Sequence, residues 1–117
     1  MNIENSKILF KSLWNVDPEA TSHGCGEKRI LLSNKETSSS ITQIAVTLLH
    51  QGEKAELHSH PTMEECFLIR SGRLRISVDN QTFDCMPGDF LRIPPATPHQ
   101  LEALEESEML TIGCATD

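Results

Sequence analysis

The segment GEKAELHSHPTMEECFLIRSG, residues 52–72, decides how this chain is read. In an extended segment alternate side chains share a face, so His58 and His60 point the same way. Two imidazoles side by side make a pair of metal donors. Pro61 and Thr62 end that strand, and a second strand starting near Glu64 returns a carboxylate to the same neighbourhood. Gln51-Gly52 and Ser71-Gly72 are the turns that bracket the unit.

Downstream, GDFLRIPPATPH, residues 88–99, supplies a further histidine, His99, after a Gly-Asp turn and a Pro-Pro kink. Together the two stretches resemble the two-motif signature of the cupin superfamily, in its small single-domain cupin 2 form. Gly52, His58, His60, Glu65 and Gly72 fit the first motif, and Gly88, Pro94 and His99 fit the second. Ala96 and Ala103 depart from it, standing where the family has glycine and asparagine. Neither position ligates metal in the family, so these departures concern the shape of a loop. The resemblance spans about residues 41–114 and implies four metal ligands: His58, His60, Glu65 and His99. It also selects Glu65 over Glu64, because only Glu65 leaves the family's spacing before Gly72. His50 has no motif position and is expected at the surface or behind the ligands.

From Ile41 onward the chain reads as short strands divided by turns, which favours an antiparallel sandwich or barrel. Strands are expected over 41–50, 55–60, 64–70, 73–79, 81–85, 90–93, 99–104 and 108–114. No helical period of any length appears. The fold expected is therefore all-β, the double-stranded β-helix or jelly-roll barrel of cupins. Alternation places Leu74, Ile76 and Val78 inside and Arg73, Arg75 and Ser77 outside. If Glu65 faces inward, Phe67 and Ile69 do too, leaving Cys66 and Leu68 outside. A strand apolar on both faces is covered on both, so the N-terminal arm or a second subunit is expected over the outer one. Members of the family are commonly dimers, and a homodimer is expected.

Residues 1–40 carry little pattern and are expected to form an N-terminal arm with the first strands, ahead of a barrel at 41–117, all within one structural domain. Residues 8–14 read as an edge strand or a short helical turn, 16–20 as a turn, and 30–33 as a short buried strand. The segment from Ser22 to Arg29 reads as a surface loop. Alternatively it is a flap over the barrel mouth, with His23, Lys28 and Arg29 reaching a polar substrate. Residues 34–40 read as a polar linker.

At 117 residues the chain can bury one independent core. Its net charge of −7 argues against nucleic acid or an anionic membrane surface as a partner. It has no apolar run long enough to span a membrane and no signal-peptide pattern, so a cytoplasmic location is expected. Cys25, Cys66, Cys85 and Cys114 are scattered and lack Cys-x-x-Cys pairing, which reads as reduced thiols.

Three neutral imidazoles and one carboxylate suit Zn, Mn, Fe, Ni, Co or Cu and disfavour Ca or Mg, which prefer oxygen. Such a centre keeps open positions for a chelating small-molecule substrate. The resemblance implies a metal-dependent enzyme, with isomerisation or related acid/base chemistry on a sugar or keto acid as the leading expectation. A dioxygenase and a non-catalytic sugar-binding barrel are the alternatives. No catalytic proton carrier is identifiable from the residues.

Overall fold

The computed structural model describes residues 7–116 and is built almost wholly from antiparallel strands. In chain order these are β1 (Glu19–Ala20), β2 (Glu27–Ser33), β3 (Ile41–Leu49), β4 (Lys54–His58), β5 (Met63–Ser71), β6 (Leu74–Val78), β7 (Gln81–Cys85), β8 (Phe90–Ile93), β9 (His99–Ala103) and β10 (Ser107–Ala115). A six-stranded sheet runs β1-β2-β3-β10-β5-β8, and a four-stranded sheet runs β4-β9-β6-β7. Sequence neighbours such as β4 and β5 lie in different sheets, which is the jelly-roll arrangement expected.

Alternation explains the core. On β5, Phe67 and Ile69 are buried, on β6 Leu74 and Ile76, on β9 Leu101 and Ala103, and on β10 Met109. These inward faces meet between the sheets with Leu49, Ala55, Cys85 and Ile93 in one cluster. Burying a side chain of the size of Leu or Ile stabilises by about 1.5–3 kcal/mol, so this cluster is what holds the sheets together. It fills one end of the barrel. The other end, where inward positions turn to His, Glu, Gln and Thr, stays open.

The first strands depart from the sequence reading in detail. β2 starts three residues before the expected 30–33, and each of its residues is only partly buried, because on the side away from β3 only the two-residue β1 flanks it. Leu13–Asn15 forms a 3-10 turn, the helical alternative for that segment. Asn34–Glu36, expected as linker, forms another, closed by a capping box between Ser33 and Glu36. Lys11 pairs with Glu36, and Arg29 stacks on Trp14, so the arm is fastened beside β2. Its described residues therefore do not lie over β5. Leu68 and its register partner Phe90 remain 38% and 63% exposed on the outer face of the large sheet.

Candidate metal centre

The four candidate ligands come from three strands and one turn. His58 ends β4 and is paired in register with His99 at the start of β9. His60 follows in the turn before β5, and Glu65 faces inward from β5, two rows below Phe67 and Ile69. The loop carrying Pro94 and Pro95 is tied to the first motif by the Ala96 N–H, which donates to the His60 carbonyl at 2.7 Å. Ala96 holds a left-handed backbone, φ +59°. That is the conformation for which glycine is the usual residue, so the alanine holds this turn at a cost of about 1 kcal/mol.

One donor atom from each of His58, His60, Glu65 and His99 lies within 4.8 Å of all the others. The tautomers follow from the carbonyls beneath the rings. His58 Nδ1 is 2.7 Å from the Glu56 carbonyl, and His99 Nδ1 is 2.9 Å from that of Thr97. A carbonyl only accepts, so each Nδ1 carries the hydrogen, and each neutral ring presents its Nε2 lone pair to the centre. Backbone oxygens orient metal-bound histidines in the same way.

Glu65 Oε1 stands 3.2 Å from both His60 Nε2 and His99 Nε2. With the rings neutral neither contact is a hydrogen bond, and buried Glu65 Oε1 and His99 Nε2 have no hydrogen-bond partner among the described residues. Lone pairs aimed at one another in a buried place repel unless a cation lies between them. That orphaned pair, with its nitrogen and oxygen donors, fits a divalent transition metal. In the metal-free chain a proton takes that role. Burial alone would lower the affinity of His99 for a proton, but the Glu65 carboxylate and the Thr97 carbonyl outweigh it and hold the imidazole above its usual range. Burial would likewise raise Glu65, and the surrounding imidazoles of His99, His60 and His58 reverse that and pull it below the usual carboxylate range. His58, desolvated and close to His99 and His60, is lowered. At neutral pH, Glu65 is thus an anion and His58 a free lone-pair donor.

The donors line a cavity of about 290 Å3 that is polar at the ligand end and walled by Leu49, Ala55, Phe67, Leu101 and Met109 further in. Two more residues reach it, His23 from the loop that precedes β2 and Lys28 from the start of β2 itself. The His23 ring lies 4.3 Å from that of His58, and Lys28 lines the wall opposite the ligands. The flap reading thus describes these two better than the surface-loop reading. Arg29 points the other way, donating from Nε to the Val16 carbonyl on the outer face. The loop folds back because Gly26, φ +72°, passes so close to β3 that a Cβ there would lie 2.7 Å from the Leu48 carbonyl oxygen. The two glycines flanking Cys25 were the only sequence signal of that approach. His50 lies outside the centre, exposed and paired with Glu106 at 3.0 Å. Glu64 also lies outside it, on the outer face and bonded to Arg92.

Known proteins are similar to this chain in sequence and in fold. The family model described as "Cupin domain" matches residues 45–113. An uncharacterized protein of Methanocaldococcus jannaschii is 31% identical over 93% of this chain and 86% of its own length. The quercetin 2,3-dioxygenase of Bacillus subtilis is 26% identical over 59% of this chain, and an oxalate decarboxylase of Arthroderma benhamiae is 34% identical over 74%. The chain spans only 20% and 22% of the length of those two enzymes. Among solved structures, a protein of Thermotoga maritima described as a predicted oxalate decarboxylase superposes with a TM-score of 0.84 at 20% identity, covering 92% of this chain and 99% of that one. No helix among the described residues is long and apolar enough to cross a membrane.

Proposed function

The chain belongs to the cupin family, and from that premise we propose that it is a metal-dependent enzyme performing acid/base chemistry, isomerisation or a related step, on a small keto acid or sugar. The observation that supports this most is the buried, unpartnered pair Glu65 Oε1 and His99 Nε2 within a four-donor cluster at the polar end of a cavity. His58, His60, Glu65 and His99 would hold the ion. When bound there, a divalent metal supplies Lewis acidity, polarising a chelated carbonyl and making an adjacent hydroxyl or C–H more acidic.

The chain's own residues do the rest. Leu101, Met109 and Phe67 exclude water behind the reacting end and so strengthen every charge interaction in front of them. His23, beside His58 at the mouth, is kept neutral at pH 7 chiefly by burial and then by the neighbouring imidazole. A neutral imidazole at that place can take a proton from a bound substrate at its free ring nitrogen. Decarboxylation and dioxygenation are named for similar, longer proteins. Both start from a small oxygen-rich ligand, and the cavity volume is at the lower limit of small-molecule sites.

The test is elemental analysis of protein purified without added metal or chelator, alongside His58→Ala/His60→Ala. We expect about one transition-metal ion per chain in the parent and none in the double variant, with the same thermal midpoint within a few degrees. Stoichiometric metal in the double variant would refute the ligand assignment. Iron or copper directs the activity screen to oxygen uptake with small aromatic and keto-acid substrates. Zinc, manganese, nickel or cobalt directs it to proton exchange at keto acids and sugars, monitored by solvent deuterium uptake. Metal without turnover in either screen would leave a ligand-binding barrel.

We further infer that a second copy covers the outer face of the large sheet around Leu68 and Phe90. Light scattering should give twice the chain mass, and Phe90→Lys should reduce it to one. A monomeric parent would refute this.

A further inference from the structure

We propose that Lys28, steadied by Gln43, is the specificity residue for a second anionic group on the substrate, so that the ligand is a small acid charged at both ends. This rests on the metal reading above for the near end and adds the far one.

The placement follows from register. On β2 Lys28 is opposite Thr47, a buried, inward-facing residue of β3 that lines the cavity. Opposite residues of an antiparallel pair share a face, so the lysine stem starts out toward the interior. Its ammonium then reaches Gln43 Oε1 at 3.2 Å. Gln43 in turn is opposite Gly113, and Gly113 is opposite Glu65, so one row across the sheet reads Gln43, Gly113, Glu65. The middle residue has no side chain. The lysine end and Glu65 therefore stand two strand spacings apart, about 10 Å between backbones. Thr42 Oγ1 and Met63 Sδ close over Gly113 itself, and the cavity that all these residues line is the route by which metal, chelating group, a two- or three-atom spacer and a carboxylate would span that distance.

The charges agree with this. A surface lysine normally carries its ammonium out to water, yet this one turns into a cavity. Among the described residues it makes no ion pair with any carboxylate. Glu65, on the far side of the cavity, is the one carboxylate in the lining, and Lys28 is the one permanently charged cation. In a chain of net charge −7, an unmatched cation pointing inward is the exception that selects an anion. Gln43 completes the pocket. Because an ammonium can only donate, the amide must turn its oxygen to Lys28, which leaves its NH2 as a second donor beside the ammonium. Two of the nearby hydroxyls are already engaged as donors: Thr111 Oγ1 donates to the Ala45 carbonyl and Thr42 Oγ1 to the Met63 sulfur. A neutral sugar could accept from the ammonium but would leave its charge unmatched. A dianion satisfies it and the cationic centre together.

The experiment is calorimetric titration of metal-loaded protein with two matched pairs of probes. These are 2-oxoglutarate against 2-oxopentanoate, and malate against 2-hydroxybutanoate; within each pair only the far carboxylate is replaced by a methyl group. The parent should bind the dianion of at least one pair about tenfold or more tightly than its partner. Lys28→Met, which keeps the stem and removes the charge, should abolish that preference while retaining metal by elemental analysis. Gln43→Leu should reduce it in part. A parent that retains metal but discriminates neither pair would overturn the proposal, as would a preference that survives Lys28→Met. If the variant does not fold, the parent comparison decides by itself. A parent that takes up no metal would overturn the metal reading instead, and a preference still abolished by Lys28→Met would then uphold the lysine site alone.

Discussion

Glu65→Gln is expected to weaken metal binding about a hundredfold or more, whereas Glu64→Gln leaves it within about twofold. The two glutamates are adjacent in the chain, but strand parity sends them to opposite faces of the large sheet. Glu65 Oε1 lies 3.2 Å from two imidazole nitrogens and has no hydrogen-bond partner of its own. Substitution by the amide removes the one negative charge that offsets the ion. It also sets an NH2 or a neutral carbonyl among three lone pairs. Losing a residue that merely orients a ligand costs about 10–100-fold in metal affinity, so losing a ligand costs at least the upper end of that. Glu64 instead bonds to Arg92 outside the barrel, and an exposed ion pair is worth about 0–1 kcal/mol to stability. Competition of the protein with a chromogenic chelator measures both affinities. Equal losses, or the reverse order, would mean that the inward face of β5 has been misassigned by one residue.

The largest effect on stability is expected at Gly72, in the turn between β5 and β6. Its φ is +81°, and an added Cβ would lie 2.2 Å from the Glu106 carbonyl oxygen, 2.3 Å from Ser107 Oγ and 2.6 Å from Ser107 Cα. Two of those three atoms are backbone and cannot step aside. The third is held as well: buried Ser107 Oγ accepts the Arg73 N–H at 2.9 Å and donates to the Glu105 carbonyl at 2.8 Å. Gly72→Ala therefore combines a left-handed backbone, at about 1–3 kcal/mol, with overpacking of similar size. A loss of about 3–4 kcal/mol is a large part of the 5–15 kcal/mol that such domains possess, and the thermal midpoint should fall by about 10 °C or more. Gly52 provides the control. It also has a positive φ, +87°, but a Cβ there meets nothing within 4 Å. Gly52→Ala should therefore cost about 1 kcal/mol. Comparable midpoints for the two variants would refute the steric argument.

How far the sequence could be read depended on whether local rules were enough. The period of two placed Phe67, Ile69, Leu74 and Ile76 in the core, and the structure buries all four. It also separated Glu65 from Glu64, with the spacing to Gly72 deciding the choice. Turn chemistry located the strands from β3 onward to within a residue or two, because most strand ends lie beside Gly, Pro or an Asp-Asn pair. The grouping of His58, His60, Glu65 and His99 was legible only through the resemblance between two separated motifs. No spacing rule says that residue 99 meets residue 58. The register of β4 against β9 brings them together.

By itself, then, the sequence determined the all-β class and the inward faces of β5 and β6, which follow from backbone geometry that repeats every two residues, while the donor set of a nitrogen- and oxygen-rich centre came from the resemblance between its two motifs. The tertiary structure decided what depends on long loop closure. It fastened the described residues of the arm beside β2 rather than over β5, with Leu68 and Phe90 left exposed. It carried His23 to the ring of His58 and turned Lys28, in a segment that reads as a surface loop, into the cavity. A lysine's sequence neighbours say only that it is polar. Whether its charge meets water or a substrate is set by which strand lies next to its own, and that is a property of the closed barrel.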